Sequence, residues 1–126
     1  MLGGMTKAFV ISVVDDDCSV RESLNGLLRS MGFFVLVFAS AEEFLESDQF
    51  ETDCLILDFR MPGINGIELQ RRLRVMGHRI PIIFISAHAD DATRTTALCG
   101  GAMSFLVKPL NEEMVLTALK SVLKIA

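Results

Sequence analysis

The feature that most constrains the fold is a regular alternation, along the whole chain, of short strand-like runs with segments of helical periodicity. The first run, residues 9–14, is rich in β-branched side chains, as is typical of a parallel strand covered by helices on both faces. Four further strands are predicted at residues 33–39, 54–57, 80–85 and 103–107. Five strands with right-handed helical crossovers predict an α/β fold, a flavodoxin-like (βα)5 doubly wound parallel sheet with strand order 2-1-3-4-5.

Apolar spacing and capping residues predict helices between the strands. Five apolar residues recur at helical spacing before Gly32 and predict the first helix: Val20, Leu24, Leu27, Leu28 and Met31. Ser40 and Glu43 have the Ser-x-x-Glu spacing of a capping box, which predicts a short second helix. Asn111 is predicted to cap a final amphipathic helix over residues 112–124. The core candidates in that helix are Met114, Val115, Leu119 and Val122.

The composition is that of one folded domain, which we expect to comprise residues 1–126. The chain is 51% hydrophobic and 22% charged, whereas a disordered segment combines low hydrophobicity with a high net charge. The formal net charge of -4 argues against broad nucleic-acid binding, which needs a surplus of clustered Lys and Arg. DNA would therefore be reached only through an output domain, and none is visible in this sequence.

Neither membrane insertion nor secretion is indicated. The longest apolar stretches, residues 8–14 and 33–39, are far shorter than the ~20 residues that span a bilayer. Residues 1–7 lack the length and charge of a signal peptide, so we expect a cytoplasmic protein without membrane partners. The three cysteines are odd in number, widely spaced and without a Cys-x-x-Cys pair, which predicts free, largely buried thiols: Cys18, Cys54 and Cys99.

Polar residues stand at the ends of four predicted strands, where doubly wound sheets bind their ligands. These residues are Asp15, Asp16, Asp17, Asp58, Ser86 and Lys108. Carboxylates gathered in one place raise one another's pKa unless a cation intervenes. Magnesium binds through one or two protein carboxylates while keeping waters and a substrate phosphate. The sequence therefore predicts a Mg²⁺ site that is open to a phosphoryl donor.

Each of these residues also has an ordinary structural interpretation. The three consecutive aspartates could cap the first helix and interact with its dipole. Asp58 could form a turn, Ser86 could be a loop hydroxyl, and Lys108 could be a solvated surface charge. These interpretations do not require one another, whereas the functional interpretation places all of the residues on one edge of the sheet. Their joint occurrence at successive strand ends favours the functional interpretation.

The same segments resemble the receiver domain of response regulators in two-component signalling. The resemblance rests on four motifs: Val13-Val14-Asp15-Asp16-Asp17, Leu57-Asp58-Phe59-Arg60-Met61-Pro62-Gly63 with Gly66, Ile85-Ser86-Ala87, and Val107-Lys108-Pro109. It covers nearly the whole chain from about residue 9. The Asp-x-Arg-Met-Pro-Gly, Ala-Ser-Ala-Glu-Glu-Phe-Leu and Glu-Leu-Gln-Arg-Arg-Leu segments look most like the FixJ-type branch, whose members usually couple the receiver to a DNA-binding helix-turn-helix domain.

The resemblance implies a role for each residue at the strand ends. Asp58 would take a phosphoryl group from a phosphohistidine on a sensor histidine kinase. Asp16, Asp58 and the backbone carbonyl of Arg60 would coordinate Mg²⁺, and Asp15 would hold the ion through water. Ser86 and Lys108 would bind phosphoryl oxygens and draw two loops inward. The protein would be a switch that assists its own phosphorylation and dephosphorylation, not an enzyme with a separate substrate.

The resemblance also implies how the switch is read and tuned. Phe105 stands where many relatives have a switching tyrosine, so the ring that moves has no hydroxyl here. Arg60 and His88 occupy positions that flank the phosphoryl group in the family, and with Asp17 they are candidate modulators of its lifetime. We expect phosphorylation-promoted homodimerisation through the face near Phe105 and the final helix. The family's Lys-Pro bond, here Lys108-Pro109, is commonly cis.

Three other functional classes share parts of this pattern. A flavin-binding electron carrier needs a phosphate-cradling loop after the first strand, where Asp15, Asp16 and Asp17 would repel the phosphate. An aspartyl phosphatase expects a second Asp two residues after the nucleophile, a position that Arg60 occupies here. A receiver that binds partners without being phosphorylated remains an alternative, although no acidic or hydroxyl position is missing.

Overall fold

The sheet follows the predicted order. The computed structural model describes residues 8–48, 50–88 and 90–125. The elements are β1 (Val10–Val14), α1 (Cys18–Ser30), β2 (Phe34–Phe38), α2 (Ala41–Ser47), β3 (Cys54–Asp58), α3 (Gly66–Val75), β4 (Ile82–Ser86), α4 (Asp91–Cys99), β5 (Ser104–Val107) and α5 (Glu112–Leu123). All paired strands are parallel and the order is β2-β1-β3-β4-β5, which confirms the predicted doubly wound (βα)5 architecture.

The sheet buries apolar side chains on both of its faces. The central strands β3 and β4 are buried along their whole lengths, because helices cover them on each side. Alternate strand residues such as Ile56 and Ile83 pack against α1 and α5, while Leu55 and Phe84 pack against α2, α3 and α4. These two clusters fix the strands from above and below, so the strand ends form a rigid edge.

The predicted helix caps are confirmed. Ser40 Oγ accepts a hydrogen bond from the backbone N–H of Glu43 at 3.0 Å, and Glu43 Oε1 accepts one from the N–H of Ala39 at 3.1 Å. Asn111 Oδ1 accepts a hydrogen bond from the N–H of Met114 at 2.8 Å, which begins α5 as predicted. Of the core candidates in α5, three are buried and Met114 is half-buried.

The prediction of largely buried thiols is wrong for two of the three cysteines. Cys18 is the first residue of α1 and Cys99 the last of α4, and both are exposed because helix ends project beyond the packed layers. Cys54 is buried in β3, where desolvation and the nearby Asp53 carboxylate raise the pKa of its thiol to about 12. All three are free, as predicted. Among the described residues, no helix combines the length and apolarity needed to cross a bilayer.

Candidate functional site

Four charged side chains meet at the edge of the sheet where the strands end, which we call the carboxyl rim. Asp15, Asp16 and Asp58 each place a carboxylate oxygen within 4.8 Å of the others. Lys108 Nζ lies 3.0 Å from Asp15 Oδ2 and 3.5 Å from Asp58 Oδ1. The parallel strands β1, β3 and β5 supply these residues at or just beyond their last positions, so residues distant in sequence converge here.

Burial makes this cluster unusual. Asp15 is 0% exposed and Asp58 5% exposed, whereas Asp16 faces solvent. Asp15 Oδ1 accepts a hydrogen bond from the N–H of Asp17 at 2.9 Å, and the Asp15 carbonyl accepts one from the Arg21 guanidinium at 2.9 Å. Asp15 Oδ2 faces the Lys108 ammonium but has no well-aligned hydrogen bond within the described residues. A buried carboxylate oxygen thus retains capacity to bind a further cation or its water.

The electrostatics show that the cluster is short of positive charge. Burial, then the Asp15 charge, raises the pKa of Asp58 to about 7, and Asp16 adds to the increase while Lys108 opposes it. Burial by itself would lower the pKa of Lys108, but the contacts with Asp15 and Asp58 outweigh it, so the pKa is raised and the ammonium is retained. Three carboxylates face one ammonium, and a hard divalent cation would balance them. The all-oxygen donor set fits Mg²⁺.

Ser86 lies on the same rim, as predicted. It is the last residue of β4, it is 1% exposed, and its Oγ accepts a hydrogen bond from the N–H of His88 at 3.0 Å. The N–H of Lys108 donates to the Ser86 carbonyl at 2.8 Å, which ties the end of β4 to the residue that follows β5. The Lys108-Pro109 peptide bond is cis. Asp58 pairs with Ile85 in the sheet, so Ser86 stands one residue further along the rim.

Phe105 is buried beneath the rim in an aromatic cluster. It is 6% exposed, its ring centroid lies 6.2 Å from that of Phe59, and the Phe59 centroid lies 5.5 Å from that of Phe84. The Arg94 guanidinium lies 5.3 Å from the Phe105 ring centroid, within the range of a cation–π contact. Phe59 directly follows Asp58, so the ring of Phe105 is in contact with the neighbour of the rim carboxylate. The sequence carried no signal for the Arg94 contact, which joins α4 to β5.

The three candidate modulators of the phosphoryl lifetime, Asp17, Arg60 and His88, lie in different structural environments. Asp17 is the N-cap of α1, where its carboxylate accepts a hydrogen bond from the N–H of Ser19 at 2.8 Å, as the structural interpretation predicted. The Arg60 guanidinium points toward the start of α4, 3.9 Å from Asp90 Oδ2. The residue His88 is exposed. Of these three residues, Arg60 links the loop after β3 to the start of α4 through its contact with Asp90.

Two residues outside the predicted set support the loop that follows Asp58. A Cβ added at Gly66 would lie 2.5 Å from the Asp58 carbonyl oxygen and 2.8 Å from the Phe84 ring, so α3 begins directly against the end of β3. From α2, Glu42 Oε2 accepts a hydrogen bond from the N–H of Ile64 at 3.3 Å. Sequence analysis noted Gly66 only as part of a motif and missed Glu42, since both contacts depend on how separate helices approach the same loop.

Comparison with known proteins agrees with this fold. The sequence profile described as response regulator receiver domain matches residues 11–120. The chain is 47% identical over 118 residues to response regulator protein TmoT of Ectopseudomonas mendocina. The aligned region covers 93% of this chain and 54% of that protein. The solved structure of response regulator StyR has a TM-score of 0.85 and 47% identity, covering 94% of this chain and 60% of that one. The FixJ-N crystal structure has a TM-score of 0.85 and 32% identity, covering 94% and 96%.

The chain spans about half the length of the curated relatives it matches, so the similarity concerns one part of those proteins. The presence of FixJ among the similar structures confirms the predicted resemblance to that branch. A profile match over most of the chain and the shared parallel sheet lead to one conclusion: this chain belongs to the response regulator receiver domain family.

Proposed function

We propose that this signalling domain accepts a phosphoryl group on Asp58 from a phosphohistidine of a sensor histidine kinase. The observation that carries the proposal is the cluster of three carboxylates and one ammonium at the carboxyl rim, with the pKa of Asp58 raised to about 7. Mg²⁺ would be held by Asp16, Asp58 and the Arg60 backbone carbonyl, with Asp15 acting through water. When bound, the ion would neutralise the carboxylates and the transferring phosphoryl group.

The chain's own residues account for the transfer. An Asp58 carboxylate oxygen attacks phosphorus while the bond between phosphorus and the kinase histidine nitrogen breaks, which forms an acyl phosphate on Asp58. Lys108 Nζ, 3.5 Å from Asp58 Oδ1, is placed to pair with an oxygen of the new phosphoryl group. Asp15 holds that ammonium from the buried side at 3.0 Å, so Lys108 acts as a positioned charge.

Switching would follow from the change at Asp58. Ser86 Oγ, which now accepts a hydrogen bond from the N–H of His88, would turn to donate to a phosphoryl oxygen. The rearranged strand ends would alter the packing of Phe105, which gives a path from the rim to the face formed by β5 and α5. We propose that this face supports phosphorylation-promoted homodimerisation and that Asp17, Arg60 and His88 tune the lifetime of the phosphoryl group. Residues 1–126 would act as one receiver domain that controls a transcriptional output domain or a partner.

Intact-mass spectrometry after incubation with acetyl phosphate and Mg²⁺ tests the proposal. We expect a single phosphoryl adduct that is lost in Asp58→Asn and after chelation of the metal. Asp90→Asn is the matched control, since Asp90 is an exposed helix cap, and it should retain the adduct. A folded wild-type domain that takes up no phosphoryl group would instead favour a receiver that binds partners without phosphorylation.

A further inference from the structure

A cavity of about 510 Å³ lies at the opposite edge of the sheet, which we call the amino rim because β4 and β5 begin there. It opens between the carboxyl-terminal ends of α3 and α4. Its apolar lining includes Leu73, Ile80, Ile82 and Met103, and its charged lining includes Arg74 and Arg79. The volume is in the range of ~300–1,000 Å³ typical of ligand pockets, and it exceeds that of one side chain.

Exposed apolar side chains occur in the cavity wall and at the ends of the two helices that border the cavity. Met103, in its wall, is 54% exposed. Three more large apolar residues are exposed in the last turns of the bordering helices or just after them: Val75, Met76 and Leu98. Only two other large apolar residues, Phe34 and Val37, are comparably exposed in the described chain, and both are in β2 at the far side of the sheet. Four of the six exposed large apolar residues in the described chain thus lie at this end of the fold, a distribution typical of a surface that a partner covers.

The charge of the cavity lining is opposite in sign to that of the whole chain. The segments that line the cavity, residues 70–82 and 100–103, contain no Asp or Glu, although the chain has a net charge of -4. Glu68, just before them, is engaged by Arg71 at 2.6 Å and by Arg72 at 2.9 Å. Within the described ranges, Arg74 and Arg79 have no carboxylate at ion-pairing distance. Two guanidinium groups beside the cavity are therefore available to an anionic partner.

Arg74 is held in place at the mouth of the cavity. Its guanidinium donates a hydrogen bond to the Gly100 carbonyl, which joins the end of α3 to the end of α4. An Arg has five N–H donors, so this contact leaves donors for a bound carboxylate. The apolar wall of the cavity therefore lies between the ends of α3 and α4, and the guanidinium of Arg74 is held at its edge.

We propose that the amino-rim cavity docks an acidic peptide segment of a partner protein. A large apolar side chain of the segment enters the cavity against Leu73 and Met103, and flanking Asp or Glu residues pair with Arg74 and Arg79. A small inorganic anion would leave the apolar wall exposed, and an uncharged apolar segment would leave the guanidinium groups unused. The docking site is separate from the carboxyl rim, so a partner can bind here while Asp58 remains accessible.

Selection from a random dodecapeptide phage library on the immobilised domain tests this. We expect enrichment of peptides that combine Asp or Glu with Leu, Phe or Met. Synthetic copies should bind Arg74→Glu/Arg79→Glu about tenfold more weakly than wild type, since two charge pairs are reversed. The matched control, Arg29→Glu/Lys120→Glu, makes the same change in net charge on the exposed surfaces of α1 and α5 and should bind like wild type.

A second variant separates binding from folding. Arg79→Glu alone disturbs no contact of the described chain, and it should weaken binding severalfold while acetyl phosphate labelling of Asp58 stays unchanged. The proposal is overturned if no peptide is enriched above a blank surface, if the enriched peptides are basic or uncharged, or if both double variants bind them as wild type does.

Discussion

The buried carboxyl rim and the solvent-facing first turn of α3 place the same chemical group, a carboxylate, in opposite electrostatic environments. At the carboxyl rim, burial and the Asp15 charge raise the pKa of Asp58 to about 7. In the first turn of α3, hydrogen bonds from Arg71 and Arg72 lower the pKa of Glu68 to about 2, and this carboxylate faces solvent. At the carboxyl rim, like charges lie close together at a place where a cation and a phosphoryl group would relieve their repulsion. An electrostatically unfavourable cluster of buried carboxylates supports the proposal that the functional site lies at the carboxyl rim.

The largest expected effect concerns the tight packing of the carboxyl rim. Gly66→Ala places a methyl group 2.5 Å from the Asp58 carbonyl oxygen and 2.8 Å from the Phe84 ring, where neither neighbour can give way easily. We expect a loss of about 3 kcal/mol in the free energy of unfolding, measured by urea denaturation. Gly26→Ala is the control, because nothing lies within 4 Å of its added Cβ.

In the Gly26→Ala control, alanine replaces a glycine in the interior of α1, where alanine has the higher helix propensity. The free energy of unfolding should therefore stay unchanged or rise by up to about 1 kcal/mol. If Gly66→Ala were as well tolerated as Gly26→Ala, the close approach of α3 to the end of β3 would be wrong.

The next effect is a pH dependence of stability that distinguishes the buried Asp58 from the exposed Asp90. Folding raises the pKa of Asp58 from 3.8 to about 7, so the folded protein holds this proton to a higher pH than the unfolded chain does. The stability that this group contributes is complete below about pH 4 and is lost as the pH rises to about 7. Relative to Asp58→Asn, we expect metal-free wild type to lose about 2 kcal/mol over this window, measured by urea denaturation at each pH.

Added Mg²⁺ should restore stability at pH 8 in wild type and much less in Asp58→Asn, because binding to the folded state alone shifts the unfolding equilibrium. Asp90 provides the opposite sign, since hydrogen bonds from Thr93 lower the pKa of its carboxyl. The contribution of Asp90 to the stability of the folded protein is therefore present at neutral pH and is lost as the pH falls through the acid range. Parallel pH profiles for Asp58→Asn and Asp90→Asn would contradict the assignment.

A smaller effect is expected from removal of the rim ammonium. Lys108→Met leaves Asp15 and Asp58 facing each other without a cation, and at neutral pH it should destabilise the metal-free domain by about 1–2 kcal/mol. Asp58 can take up a proton in response, which limits the loss. Adding Asp15→Asn to Lys108→Met should recover most of the lost free energy of unfolding. If the effects of the two substitutions on this free energy were additive in a double-mutant cycle, the contact between Lys108 and Asp15 would not be formed.

The smallest effect on stability is expected in the first turn of α3. Glu68→Gln removes an exposed carboxylate that pairs with Arg71 and Arg72, and exposed ion pairs contribute little to folding. Its urea midpoint should be closest to that of wild type among these variants. A loss comparable to that in Lys108→Met would mean that the surface charges are as tightly coupled as the buried ones.

The fold and the main site residues were predictable because their signals are local. Strand-like runs, helical spacing and caps such as Ser40 and Asn111 can be read from neighbouring residues, and strand order then follows from the handedness of the crossovers. Asp15, Asp58 and Lys108 each stand at the end of an apolar run. A parallel sheet brings those ends to one edge, so their proximity could be predicted before any distance was known.

Exposure of single residues was less predictable. Cys18 and Cys99 were predicted to be largely buried from their residue type, yet both are exposed at helix ends. Residue type predicts average burial, whereas the layer boundary decides the burial of an individual side chain.

The amino-acid sequence by itself determined the order of the elements, the parallel sheet and the residues that stand at its carboxyl rim. The tertiary structure alone decided that Glu42 supports the loop after Asp58, that Arg94 lies over Phe105, and that a basic, apolar-walled cavity opens at the amino rim. These features join side chains from segments far apart in sequence. Their distances depend on the packing of whole helices against the sheet, which no local pattern of residues encodes.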